Sequence, residues 1–155
     1  MGYEILEHTA DAKFRATGKT LEEAFESTVR GFAEIVGDGE TGQVRHTVDV
    51  KSESLEALLF DFMDRLIVLQ DTEGVVVRDA ENLKIEDTGK GHQLTADILT
   101  DRIDPGGHYQ DIKGPTYNEM KVEHGDSTES GDSARSSESN DSTSHEWIIE
   151  VVLDI

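Results

Sequence analysis

Three groups of carboxylates and histidines in this sequence could do chemistry. The groups are His8 with Asp11, Asp104 with His108, and Asp154 with the terminal carboxylate of Ile155. Oxygen donors of this kind suit hard cations such as Ca²⁺ or Mg²⁺, which prefer carboxylate, carbonyl and water oxygens. Each group also has a simpler interpretation, because aspartates in turns commonly accept hydrogen bonds from local backbone amides and strand ends are often solvated. Spacing alone does not show that the groups meet.

The last nine residues must position Asp154 and the terminal carboxylate. Five apolar residues recur there at period two: Trp147, Ile149, Val151, Leu153 and Ile155. This pattern predicts a strand with one face in the core, so we expect an anchored terminus. Asp154 falls on the opposite face with Ile148, Glu150 and Val152, where it is either solvated or aimed into a pocket.

The remaining elements indicate the fold class. Strand patterns occur at 3–7, 12–17, 43–51, 75–77, 83–87, 93–99 and 116–123. One helix is predicted from a Thr20 N-cap with Glu23 three residues later to Gly37, and a second from Ser52 or Ser54 to the turn at 71–74. We therefore expect an α+β fold in two layers, with two main helices packed on a largely antiparallel sheet.

A single domain spanning 1–155 is predicted from the chain length. Residues 124–145 are the exception, because they contain eight serines and five acids and no large apolar residue. Such a segment cannot bury enough apolar area to offset its ordering entropy, so we expect a disordered, acidic, serine-rich loop insertion.

The charge balance excludes some classes of function. The formal net charge is -20, from 34 acids against 14 bases, which disfavours direct binding of nucleic acid. An acidic surface with only seven lysines is typical of proteins from molar salt, which suggests a halophilic source.

The chain has no cysteine, so thiolate chemistry is excluded. No signal-like or membrane-spanning run occurs, so we expect a cytoplasmic protein.

No sequence motif identifies an enzyme. Ser-His-Asp, Walker and H-E-x-x-H patterns are absent in any recognisable context. A metal-dependent hydrolase using Asp11, Asp154, His8 and His108 is an alternative, since carboxylate-bound cations can activate water. It has no identifiable general base or substrate pocket in the sequence.

An ordered set of motifs resembles the archease family over nearly the whole chain outside the insertion. The motifs are His8-Thr9-Ala10-Asp11, Thr20-Leu21-Glu22-Glu23-Ala24-Phe25, Asp71-Thr72-Glu73-Gly74, Asp104-Pro105 with His108, Ile112-Lys113-Gly114-Pro115-Thr116-Tyr117, Met120-Lys121-Val122-Glu123 and Val151-Val152-Leu153-Asp154-Ile155. Two departures are Ala12, where the family usually has an apolar β-branched residue, and Gly114-Pro115, which replaces small apolar residues. Neither departure removes a proposed ligand.

The resemblance implies an activator rather than an enzyme. By this resemblance, the protein would promote GTP-dependent guanylylation and multiple turnover of the RtcB-type RNA ligase of tRNA splicing, and it would contact RNA only through the ligase. A divalent cation, Ca²⁺ or else Mg²⁺ or Mn²⁺, would be held by Asp11, Asp154 and the Ile155 carboxylate, with His8, Lys113 and His108 as functional neighbours. The family also suggests an alternative role as a general chaperone for tRNA-modifying enzymes such as tRNA methyltransferases.

Overall fold

Seven strands and two helices make up the part of the chain described by the computed structural model, residues 2–6, 11–37, 42–125 and 146–155. In chain order they are β1 (Gly2–Leu6), β2 (Asp11–Gly18), α1 (Leu21–Val36), β3 (Val44–Ser52), α2 (Leu55–Glu73), β4 (Val75–Asp87), β5 (His92–Arg102), β6 (Gly114–His124) and β7 (Trp147–Asp154). The helices pack against antiparallel sheets, which confirms the predicted α+β class.

Two side chains cap the N-terminus of helix α1. The Thr20 hydroxyl accepts a hydrogen bond from the Glu23 amide at 3.0 Å, and the Glu23 carboxylate accepts one from the Lys19 amide at 2.9 Å. These side chains satisfy backbone donors that have no partner inside the helix. The helix ends at Gly37, whose φ of 105° is accessible to glycine at little cost.

Helix α2 is capped in the same manner. The Ser54 hydroxyl, one of the two predicted caps, accepts from the Ala57 amide at 3.0 Å. Gly74 ends the helix in the left-handed conformation, with φ 66° and ψ 43°, and its amide donates to the Gln70 carbonyl. The predicted turn at 71–74 is therefore the last helical turn and its glycine cap.

The strands are divided between two antiparallel sheets. One has the order β1-β2-β7-β6 and the other the order β3-β5-β4. Helix α1 contacts β2 of the first sheet and β4 of the second, and α2 contacts β6 of the first and β3 of the second. Both helices therefore bury side chains against both sheets, which explains why α1 has buried residues around most of its circumference.

A continuous hydrophobic core fixes β2 and β7 against α1. Phe14 of β2 and Leu153 of β7 are fully buried in it, as are Phe25 and Phe32 of α1. The close approach of α1 to β2 depends on Gly31, because a Cβ atom at this position would lie 2.5 Å from the Phe14 ring. The strands that carry Asp11 and Asp154 are thus rigidly supported from the helix side.

The β6–β7 hairpin carries the serine-rich insertion. His124 pairs with Trp147, and the Gly125 amide donates to the Glu146 carbonyl at 2.5 Å. Residues 124 and 125 therefore belong to the closed end of this hairpin. The rest of the predicted disordered segment, 126–145, lies outside the described residues.

Candidate functional site

Asp11 and Asp154 are direct partners in the pairing of β2 with β7. Directly opposed residues of antiparallel strands project from the same face of the sheet, with Cβ atoms about 5 Å apart. Asp11 is half-buried and Asp154 is exposed. The fold therefore places side by side two carboxylates that come from opposite ends of the sequence.

The segment around Ile155 is held in place by Lys113 and by the core. The Lys113 amide donates to the Asp154 carbonyl at 2.7 Å, and its Nζ lies 3.5 Å from the Ile155 carbonyl oxygen. Gly114, the next residue, pairs with Asp154, and the partly buried Ile155 side chain packs against the core. The carboxylate of a residue fixed in this way loses little conformational entropy when it binds a ligand.

A row of paired charges continues along the same face of the sheet. Lys13, two residues after Asp11, donates to Glu119 of β6 at 2.5 Å, and its Nζ lies 3.9 Å from Glu150. Arg15 forms an ion pair with Glu150 at 2.9 Å. Only 9% of Glu150 is exposed, so its charge depends on these two cations. The hydrogen bond to the Glu119 carboxylate raises the pKa of Lys13, so this cation stays protonated beside Glu119 and Glu150.

The arrangement can supply oxygen donors to a hard cation. Two carboxylates on one face and a third from Ile155 match the ligand chemistry of Ca²⁺, Mg²⁺ and Mn²⁺. Within the described residues, no group of three His, Asp or Glu side chains could hold a metal ion. The Ile155 main-chain carboxylate is a further oxygen donor beside Asp154, and the chemistry of these three groups fits a hard cation.

The structure places the predicted functional neighbours differently. Lys113 contacts the main chain of Asp154 and Ile155, and its functional role stays a prediction. His108 is exposed in the segment between β5 and β6, with its carbonyl oxygen against Gly37 at the end of α1, and the described structure does not bring its side chain to the two aspartates as a third ligand. His8 lies outside the described residues.

A polar cleft lies at the C-terminal end of α1. Arg78 is the extra residue in a β-bulge of β4, and this bulge aims its guanidinium at the helix end. Its Nη1 donates to the carbonyls of Ala33 and Gly37 at 3.2 and 2.7 Å, which satisfies acceptors left free by the helix. The cleft, of about 550 Å³, is lined by Tyr3, Arg30, Ala33, Glu34, Gly37, Arg78 and Asp79. Arg30 pairs with Asp79 at 3.0 Å, the Glu34 carboxylate accepts from the Tyr3 hydroxyl, and Arg78 is used by the helix end, so we interpret the cleft as structural.

The sequence prediction missed the charged row formed by Lys13, Arg15, Glu119 and Glu150. Part of this row could have been predicted from the sequence. Lys13 and Arg15 alternate with the buried Phe14, which places both cations on the outer face of β2. Glu119 carried no such signal, because its position depends on a bulge in β6.

Fold and strand register define a small α+β protein with two directly opposed aspartates at the end of one sheet. The model of the archease protein family matches residues 3–155. The chain belongs to the archease family.

Two curated relatives illustrate the similarity. Protein archease of Pyrococcus abyssi is 41% identical over 126 residues, which cover 78% of this chain and 87% of the relative. Protein archease of Thermococcus kodakarensis is 38% identical over 125 residues, with coverage of 78% and 87%.

Solved structures share the fold. The solution structure of protein 1598 from Methanobacterium thermoautotrophicum has a TM-score of 0.74 and 26% identity, and the match covers 99% of each chain. The crystal structure of an archease, a possible chaperone, from Thermotoga maritima has a TM-score of 0.57 and 23% identity, with 97% of this chain and 94% of that chain covered.

Neither of the two described helices is apolar enough over a sufficient length to cross a bilayer.

Proposed function

We propose that this protein activates an RtcB-type tRNA-splicing ligase in the cytoplasm, by promoting GTP-dependent guanylylation of the ligase and its multiple turnover. Membership of the archease family supports the proposal. The observation that carries it is the direct pairing of Asp11 with Asp154 beside a fixed Ile155. A fold that opposes two like charges at a sheet end, where they repel, points to selection for a site rather than for stability.

The second part of the proposal is a divalent cation at this site. Asp11, Asp154 and the Ile155 carboxylate would hold it, and Ca²⁺ is favoured because its coordination tolerates irregular oxygen geometry better than that of Mg²⁺, with Mn²⁺ as a further candidate. When bound, the cation would neutralise the carboxylates and offer a positive centre to an anionic group. The protein's own contribution would be to pair Asp11 with Asp154 across β2 and β7 and to fix the chain next to Ile155 through the Lys113 amide.

The partner in this proposal is a protein, and RNA is engaged only through it. A net charge of -20 opposes close approach to a phosphate backbone. The same charge favours the basic surface that a ligase must present to its RNA and nucleotide substrates. The carboxylate site would then act at the mouth of the ligase pocket without turning over a substrate of its own.

The test is RNA ligation by the matching RtcB-type ligase at limiting enzyme, with GTP and divalent metal, in the presence and absence of this protein. We expect conversion from about one product per ligase to many. Asp154→Asn should lose most of the stimulation. Asp49→Asn should retain it, since Asp49 lies on β3 of the other sheet, where it accepts a hydrogen bond from Gln93. Unchanged ligation at every salt concentration would contradict the proposal.

The chaperone alternative predicts a different pattern. The Thermotoga maritima archease is described as a possible chaperone. If this protein is a chaperone, it would suppress aggregation of a tRNA methyltransferase without altering ligation, and Asp154→Asn would suppress aggregation equally well.

A further inference from the structure

An exposed aromatic pair stands at the β6 edge of the four-stranded sheet. Tyr117 is 55% exposed, and its ring stacks on that of Phe60 of α2, with centroids 4.3 Å apart and an interplanar angle of 9°. Tyrosine supplies a large, stiff contact area at low entropic cost, and it is enriched among the residues that dominate binding energy at protein interfaces. Stacking on Phe60 fixes the ring while leaving much of it open to a partner.

The backbone around Tyr117 departs from regular strand geometry. Residues 117–120 form a bulge between Thr116 and Lys121, which keep their pairing with β7. The Thr116 hydroxyl accepts from the Asn118 amide at 2.9 Å, and Glu119 has a φ of 62° while its carboxylate accepts from Lys13. A non-glycine residue in the left-handed region persists only where its surroundings hold it, and such strain is concentrated at functional positions.

Carboxylates surround the aromatic pair. Glu56 and Asp64 lie four residues before and after Phe60 on α2, so both share its helix face, and both are exposed. Glu119, two residues after Tyr117, is 46% exposed at its side chain. A complementary partner therefore presents an apolar pocket bordered by Lys or Arg, whereas a nucleic-acid strand would be repelled.

The pair lies close to the carboxylate site. Gly114, which pairs with Asp154, precedes Tyr117 by three residues, which corresponds to about 10 Å along a strand. A standard protein interface covers about 800 Å² on each partner, so one docked protein would contact both features.

We propose that Tyr117, stacked on Phe60, is the docking anchor that seats this protein on the basic surface of its ligase partner and so delivers the Asp11–Asp154 site to the ligase pocket. This inference rests on the proposed function, and it adds the residues that dock to those that activate. Docking and activation are then separable, because the anchor lies at the β6 edge and the carboxylates lie at the end of β2 and β7.

The experiment measures the Kd for the purified ligase by calorimetry, and in parallel the turnover of ligation at saturating activator. Tyr117→Ala should raise Kd by at least about tenfold, as for an interface anchor, and turnover should recover at high activator concentration. Tyr117→Phe, which keeps the ring, should bind like the wild type. The matched control is Ile103→Ala, which removes a 47% exposed side chain elsewhere and should change nothing.

Two further variants keep the outcomes distinct. Asp64→Lys, at an exposed helix position, should slow association with a basic partner even if Tyr117→Ala proves unstable in thermal unfolding. Asp154→Asn should bind the ligase and fail to activate it.

Three outcomes would overturn the anchor. Folded Tyr117→Ala and Asp64→Lys that bind like the wild type would remove the docking surface while leaving the activator role intact. Tyr117→Ala that loses binding to RNA rather than to the ligase would assign the surface to nucleic acid. A wild-type protein that neither binds nor stimulates the ligase would overturn the anchor and the proposed function together.

Discussion

The substitution Asp154→Asn should have opposite effects on stability with and without a divalent cation. Without the cation, Asp11 and Asp154 are two negative charges directly opposed across β2 and β7. Removing one charge relieves their repulsion, so the variant should be more stable than the wild type in EDTA. With Ca²⁺, the wild type would bind the cation through three carboxylates, one of which the variant lacks. The wild type should then be the more stable of the two proteins.

The magnitudes follow from the strand register. Opposed Cβ atoms lie about 5 Å apart, and two unit charges at that separation repel by about 0.8 kcal/mol in water and about 3 kcal/mol at an effective dielectric of about 20. Asp154 is exposed, so about 1 kcal/mol is the appropriate figure at low salt. Ca²⁺ at about one hundred times its Kd stabilises the wild type by about 2.7 kcal/mol. If losing a ligand weakens binding about a hundredfold, the variant gains only about 0.4 kcal/mol.

The assay is urea unfolding of both proteins in EDTA and in Ca²⁺, at the lowest salt that keeps the wild type folded. We expect the two stability curves to cross, with the wild type ahead by more than about 1 kcal/mol in Ca²⁺. Asp49→Asn is the control and should respond to Ca²⁺ as the wild type does. A wild type with no response to Ca²⁺, Mg²⁺ or Mn²⁺, or a variant less stable in EDTA, would refute the reasoning.

Three further predictions concern the scaffold. Gly31→Ala should destabilise the fold by about 1–3 kcal/mol in urea unfolding, because the new methyl group meets the Phe14 ring at 2.5 Å; a neutral effect would contradict the packing of α1 on β2. Hydrogen bonds from Asn82 and Thr47 lower the pKa of Asp97, so the contribution of this carboxylate to the free energy of unfolding should be present above about pH 5 and lost as pH falls through the folded-state pKa. Asp97→Asn should abolish this part of the pH dependence of stability. A variant whose stability falls in acid as steeply as that of the wild type would contradict the prediction. A net charge of -20 predicts that the thermal unfolding midpoint rises between about 0.1 M and about 3 M salt, whereas equal midpoints would exclude halophilic adaptation.

Local signals in the sequence were sufficient to predict the helices. The Thr20–Glu23 cap, the Ser54 cap and the glycines at 37 and 74 define their ends through contacts within a few residues. The apolar alternation of β7 likewise predicted an anchored strand, and Ile149, Val151 and Leu153 are fully buried.

Long-range pairing could not be predicted in the same way. The division of the strands into two sheets depends on how both helices are covered, which no single segment encodes. The meeting of Asp11 with Asp154 needs the β2–β7 register, and it was expected only through resemblance to a family. The bulge that presents Tyr117 and aims Glu119 at Lys13 had no sequence signal, because no glycine marks the positive φ of Glu119.

The most direct test of the central claim is covalent guanylylation of the ligase by labelled GTP in a single turnover, with wild-type protein, Asp11→Asn and the control Asp49→Asn. We predict rapid labelling with the wild type and the control, and labelling near the unstimulated rate with a folded Asp11→Asn. Equal stimulation by Asp11→Asn would contradict the claim that the paired carboxylates of β2 and β7 are the working site of this protein.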